Sequence, residues 1–285
     1  MTRPSGPNAV AGLVQSAVMR QWALALSSCL LACSAAGDES SPATDDDSAM
    51  TDNPQCRGDG PLAVHFSTAD GVRLTADLHP GAGTGGPAVV LLHMNPEGND
   101  NRNFPPELVD GLNALSLTVL NVNRRGAGGS EGTARDAFEG PLGVQDAIAA
   151  QSFLVEHCSS NASAMVFVGA SNGTTTALDF LVASSADPAI PSPRGLVFLS
   201  AGEYTENQHA IADNLELVKS IPVLWAYPQS EAAYHDALAA DPGAQWQFTE
   251  YAGGSHGTGL FSSNPESVQQ VADFVGVTLD VGMGW

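Results

Sequence analysis

The sequence predicts an α/β architecture: an eight-stranded, mostly parallel sheet with helices on both faces. Three observations carry this. Short continuous apolar runs such as Ala88-Val89-Val90-Leu91-Leu92 recur along the chain, as strands buried on both faces require. They alternate with segments of helical length, the pattern of layered α/β folds. Ahead of them, stretches near 62–68 and 72–79 alternate polar and apolar residues and flank Ala69-Asp70-Gly71, a hairpin turn signal.

In chain order, that hairpin comes first. A third strand near 88–93 and a fourth near 117–122 are apolar runs separated by a helix near 105–115. A helix near 141–157 precedes a fifth strand, 164–170, and another near 173–184 follows it. Strands near 195–200, 222–227 and 245–251 alternate with helices near 208–219 and 231–240, and a helix near 265–279 ends the pattern. About twenty residues separate Ser200 from Ile221, and most are assigned to one helix, so little or no cap is expected. The segment from 56 to 285, about 230 residues, suits one domain with a single core.

Gly169-Ala170-Ser171-Asn172-Gly173 fits G-x-S-x-G between the fifth strand and the helix that follows it. A serine on such a sharp turn is lifted out of the sheet with its hydroxyl exposed, and the flanking glycines leave room for strand and helix to approach. The pattern alone is common in a chain with 30 glycines; its strand–turn–helix setting is what marks Ser171 as a nucleophile rather than an ordinary Gly-Ser turn. Serine needs a base and a group to orient that base. His256, in Gly253-Gly254-Ser255-His256-Gly257 after the eighth strand, is free to lean over the sheet edge. His65, His79, His157, His209 and His235 suit surface or packing roles, and His93 suits bracing of its loop. The acid is expected between serine and histidine. Glu231, in the loop behind the seventh strand, is the choice over Glu203, behind the sixth; a helix N-terminal acid is the plain alternative for Glu231.

From about residue 62 onward the chain resembles the α/β-hydrolase superfamily. The likeness rests on Leu91-Leu92-His93-Met94-Asn95-Pro96, Asn123-Arg124-Arg125-Gly126-Ala127-Gly128-Gly129-Ser130, the serine turn and the Gly-Ser-His-Gly loop, in that order. Leu199-Ser200-Ala201-Gly202-Glu203-Tyr204 and the histidine loop are also similar to small bacterial serine hydrolases akin to dienelactone hydrolases; alignment on that subgroup puts the acid at Glu231. Met94 stands where the family usually has glycine, and Asn123 where it often has aspartate. The resemblance implies an oxyanion hole from the N–H of Asn172 and that of Asn95 or Met94. It implies acyl transfer on a small ester or acyl substrate, with no cofactor. Three readings follow: an ester hydrolase, a peptidase or amidase of the same fold, or a non-catalytic binding lipoprotein on this scaffold. Glu203-Tyr204 and the Asn-rich loop 94–104 are expected to line the site, with Arg102 either holding a substrate carboxylate or pairing on the surface.

The front of the chain differs in kind. Trp22 to Leu31 is an apolar run too short to span a bilayer, preceded by Arg20. Leu30-Leu31-Ala32-Cys33 resembles a bacterial lipobox, so residues 1–33 read as a signal peptide with Cys33 lipidated; Met19 is an alternative start. An ordinary secretory peptide cleaved near Ala35-Ala36 is the alternative. Residues 34–55, rich in Ser, Ala, Asp and Pro, read as a disordered acidic tether. An exported lipoprotein at the outer membrane or periplasmic face is therefore expected, with a secreted form as the alternative. Cys56 and Cys158 remain, an even pair that suggests one disulfide in an oxidising compartment.

Ten basic against 31 acidic residues give a formal charge of −21, which disfavours nucleic acid and anionic lipid as partners. The membrane is expected to be reached through the lipid alone, and the protein to be a monomer. Neither Cys-x-x-Cys nor His-Glu-x-x-His occurs, so no metal site is expected. Gly81-Ala82-Gly83-Thr84-Gly85-Gly86 satisfies G-x-G-x-x-G but precedes a strand and opens no helix, so it reads as a loop rather than a dinucleotide site.

Overall fold

The computed structural model describes Cys56 and residues 60–282. The expected signal peptide, with Cys33 and Met19, and the expected tether lie outside the described residues. Eight strands form one sheet: β1 (Leu62–Ser67), β2 (Arg73–His79), β3 (Ala88–Leu92), β4 (Thr118–Asn123), β5 (Met165–Ala170), β6 (Gly195–Leu199), β7 (Val223–Pro228) and β8 (Trp246–Tyr251). Their order is β1-β2-β4-β3-β5-β6-β7-β8. β2 runs antiparallel to β1 and to β4, and every other pairing is parallel. The sequence signals the difference: β3 to β7 are buried at every position, whereas β1 and β2 alternate.

Among the described residues eight helices surround the sheet: α1 (Pro106–Ala114), α2 (Ala134–Phe138), α3 (Gly143–Cys158), α4 (Asn172–Ala186), α5 (Leu215–Lys219), α6 (Ala232–Ala239), α7 (Gly259–Ser263) and α8 (Glu266–Thr278). Successive strand residues point to opposite faces and so build two cores. Val90, Leu92 and Phe167 pack with α3 and α4 on one side; Val89, Leu91 and Val168 pack with α1 and α8 on the other. Among the described residues no helix is long and apolar enough to cross a membrane.

Two expectations change. The helix expected over 208–219 is reduced to a 3₁₀ turn and α5, because Asp179 in α4 takes the backbone N–H of His209 at 2.9 Å and the Gln208 amide at 3.1 Å, keeping the start of that stretch out of a helix. Two segments to which no helix was assigned carry short ones, α2 ahead of α3 and α7 after His256. Between β6 and β7 the chain carries no inserted domain. Residues 81–86 form the loop between β2 and β3.

Cys56 and Cys158 are joined by a disulfide across 102 residues. Closing a loop of that size restricts the unfolded chain and stabilises the fold by roughly 2–4 kcal/mol. Cys158 ends α3 at the N-terminal edge of the parallel strands, opposite the edge that bears Ser171.

Candidate active site

Parallel strands bring their C-terminal ends to one edge, and the loops there hold the polar residues. Ser171 sits between β5 and α4 with φ 50° and ψ −125°, a conformation that L side chains rarely adopt. Its N–H is tied to the Leu199 carbonyl at 2.8 Å. The glycines on either side are obligatory here. A Cβ on Gly173 would stand 2.2 Å from the Leu92 oxygen, and one on Gly169 would stand 2.4 Å from the Gly173 oxygen.

His256 Nε2 lies 2.7 Å from Ser171 Oγ, and Nδ1 lies 2.6 Å from Glu231 Oε1. A carboxylate only accepts, so Nδ1 carries the hydrogen and Nε2 is left to accept from the serine hydroxyl. Ser171, His256 and Glu231 thus form one hydrogen-bonded chain, from the ends of β5, β8 and β7. Ser200, buried after β6, steadies the histidine loop by accepting the Gly257 N–H at 2.8 Å. Burial acts to raise the Glu231 carboxyl; the hydrogen bond from His256, with the Ser200 hydroxyl and the His256 ring charge, outweighs it and holds the carboxyl below its usual value. Glu203, the other acid considered, is exposed; with burial acting first, it helps push the Tyr234 hydroxyl up to about 12. Tyr204 turns its ring edge-on to His256, with centroids 6.1 Å apart, and donates its hydroxyl to the Ser200 carbonyl.

Asn172 opens α4, where the first N–H groups have no acceptor within the helix. The loop after β3 faces it. His93 is buried; its Nδ1 donates to the Met94 carbonyl at 2.9 Å and its Nε2 accepts the Arg124 N–H at 3.0 Å. Burial, with the Arg124 charge, lowers its pKa to about 3, so the ring is neutral and braces the loop as expected. Met94 needs no left-handed backbone, and its sulfur lies against Gly257. Asn95 is turned towards its own loop through side-chain and carbonyl bonds to Glu97 and Asn99. Asn123 is structural: its amide donates to Thr75 Oγ1 at 3.0 Å and to the Gly128 carbonyl at 3.3 Å, and its oxygen accepts the Asn101 N–H at 2.9 Å. Arg102 is exposed and paired with Asp100, its charge answered within its own loop.

One residue carries more than its sequence context suggested. Arg124 is fully buried. Its Nη1 donates to the carbonyls of His93 (3.1 Å) and Met94 (3.2 Å). Its Nη2 donates to Asn172 Oδ1 (2.9 Å), Thr176 Oγ1 (2.7 Å) and the Ala137 carbonyl (3.1 Å). Burial lowers its pKa to about 10, which leaves it a cation at neutral pH. The neighbouring Arg125 does something else: it pairs with buried Asp146 at 2.7 Å and with Asp70 at 2.8 Å, pinning the β1–β2 turn to α3. An Arg-Arg pair at a strand tip, in a chain with only ten basic residues, was the available signal.

No family model and no curated protein matches the sequence. Solved structures do. An esterase from Pyrococcus furiosus is similar over 80% of this chain and 98% of its own, with 13% identity and a TM-score of 0.58. An α/β hydrolase from Vibrio vulnificus covers 75% of this chain and 81% of its own at 18% identity and TM-score 0.57. A lidless α/β serine hydrolase from Xanthomonas campestris covers 79% and 95% at 16% identity and TM-score 0.52. At such identities the property held in common is architecture. With the sheet order, the serine turn after β5 and the histidine loop after β8 all in place, the chain has the α/β-hydrolase fold.

Proposed function

We propose that this protein is a serine hydrolase that cleaves carboxylic esters through an acyl-enzyme. The observation that carries the reading is the continuous chain from Glu231 through His256 to Ser171. Ser171 Oγ attacks the ester carbonyl carbon while its proton passes to His256 Nε2. The carbonyl oxygen becomes an oxyanion, received by the N–H of Asn172 and by that of Met94 or Asn95; each such donor contributes about a hundred- to thousandfold in rate. The C–O bond to the leaving alcohol breaks, and the alkoxide takes the proton from His256. Water then repeats the sequence on the acyl-enzyme, releasing the acid and restoring Ser171. Glu231 holds the ring and stabilises its cation. Esters with small acyl groups suit a site without an inserted cap.

A fluorophosphonate label and a short-chain nitrophenyl ester test this together. Stoichiometric labelling at Ser171 with ester turnover is the expected result. Labelling with turnover of amides alone makes the protein an amidase or peptidase. An unlabelled, inactive protein makes it a binding protein.

The same proposal places the enzyme outside the cytoplasm, as a lipoprotein held through Cys33. The lipobox-like Leu30-Leu31-Ala32-Cys33 supports this, and so does a disulfide in the folded domain. Several acyl chains give firm attachment where one holds only marginally. Cys33→Ser, expressed in a Gram-negative host, should release an active enzyme from the membrane fraction. Retention after a carbonate wash would reject the anchor.

A further inference from the structure

We propose that Arg124 is a positioning residue that sets the oxyanion hole from behind, by holding two peptide carbonyls of the β3 loop on one side and the Asn172 side chain on the other with one buried cation. The inference rests on the serine-hydrolase reading above.

The argument starts from the peptide plane. A trans peptide points its carbonyl and its N–H in opposite directions within one rigid plane. The His93 carbonyl shares its plane with the Met94 N–H, and the Met94 carbonyl shares its plane with the Asn95 N–H. Nη1 of Arg124 binds both carbonyls, at 3.1 and 3.2 Å. Those two bonds fix where the two N–H groups point, and both groups are directed away from the guanidinium. Hydrogen bonds in series polarise one another in a dry interior, so a cation on the carbonyl makes the N–H of the same peptide a stronger donor.

The other arm reaches the opposite donor. Nη2 binds Asn172 Oδ1 at 2.9 Å and Thr176 Oγ1 at 2.7 Å, one turn further along α4. Asn172 is held from its other side as well, its amide donating to Gln208 Oε1 at 2.7 Å. The planar fork therefore spans the β3 loop and the start of α4 in a single rigid group, which a flexible ammonium cannot reproduce.

The charge itself is unusual. The five acceptors are neutral, Nε has no partner, and among the described residues no carboxylate bonds this guanidinium. Asp146 and Asp179 act on it only at a distance. A buried cation hydrogen-bonded only to neutral dipoles is costly for folding alone. It is useful beside a site where negative charge develops, because the field is present before the reaction begins.

The effect should appear in the transition state and not in substrate binding. Arg124→Met and Arg124→Lys are compared with wild type on p-nitrophenyl butyrate, with rates divided by the number of sites that a fluorophosphonate labels. Butylboronic acid, whose serine adduct is tetrahedral, is the second probe. Expected is a fall in kcat per labelled site of about tenfold to hundredfold for Arg124→Met, with KM changed by less than about threefold. The affinity for butylboronic acid should fall by a similar factor, and Arg124→Lys should recover part of both. A merely structural arginine would lower the number of labelled sites and leave kcat per site unchanged. That outcome, or unchanged boronate affinity, overturns the proposal. If Arg124→Met does not fold, Arg124→Lys decides: wild-type kcat and boronate affinity in that variant reject the role. A wild-type protein that neither labels nor turns over ester overturns the serine-hydrolase reading instead.

Discussion

Ser171→Ala should lower ester turnover by about a thousandfold or more while the protein keeps its unfolding transition, and His256→Ala should do the same. The two losses should not multiply in the double variant, because in the proposed mechanism nucleophile and base act as one unit. Glu231→Gln should lose less, since in the proposed mechanism this carboxylate orients the ring and stabilises its charge without receiving the proton. An amide at that position can offer its oxygen to Nδ1–H but brings no charge. Steady-state rates on a nitrophenyl ester measure all of this. Should Glu231→Gln match wild type while Glu203→Gln is inactive, the acid has been misassigned, despite the 2.6 Å contact with His256.

The second large effect is expected at Gly173→Ala. The added Cβ would stand 2.2 Å from the Leu92 oxygen and 2.7 Å from the His93 oxygen, both backbone atoms at the end of β3. Backbone cannot turn aside as a side chain can, so α4 must move away from the sheet. A cost of about 3 kcal/mol or more is expected from overpacking of this kind. Turnover should fall as well, because the helix start that moves carries Ser171 and Asn172. Gly111→Ala is the control. Gly111 lies in α1 with open space where its Cβ would go, and alanine there should be neutral or stabilising by up to about 1 kcal/mol. Urea midpoints of the two variants check the contrast. A Gly173→Ala protein within about 0.5 kcal/mol of wild type would show that the elbow can relax, contrary to its tight contacts.

Most of the sheet was legible because its strands are unmixed. Val89 to Leu92 and Val166 to Val168 are buried on both faces, and such runs have few other readings. The stretch 208–219 was misread because composition there favours helix, while the deciding term is tertiary: Asp179, from another element, claims the N–H of His209. α7 escaped because five residues after a Gly-rich loop carry too little pattern to count. In the site, Ser171 and His256 announce themselves through glycine spacing. Glu231 was chosen by its place behind a strand, and its hydrogen bond to His256 is information that only folding supplies. Arg124 was quoted as part of a motif and nothing more, since arginine next to arginine ordinarily means solvent. Its burial follows from β4 ending just where α4 and the β3 loop converge.

The disulfide also decides how the domain bears a load. A pull on the chain at Cys56 has two paths into the folded body. Along the backbone it would reach β1, an edge strand bonded on one side only, to β2. Edge pairs loaded from one end open bond by bond, like a zipper, at low force. Through the sulfur bridge the same pull arrives at the end of α3, a sixteen-residue helix seated against α4 and the sheet. The staple thus shields the weakest strand.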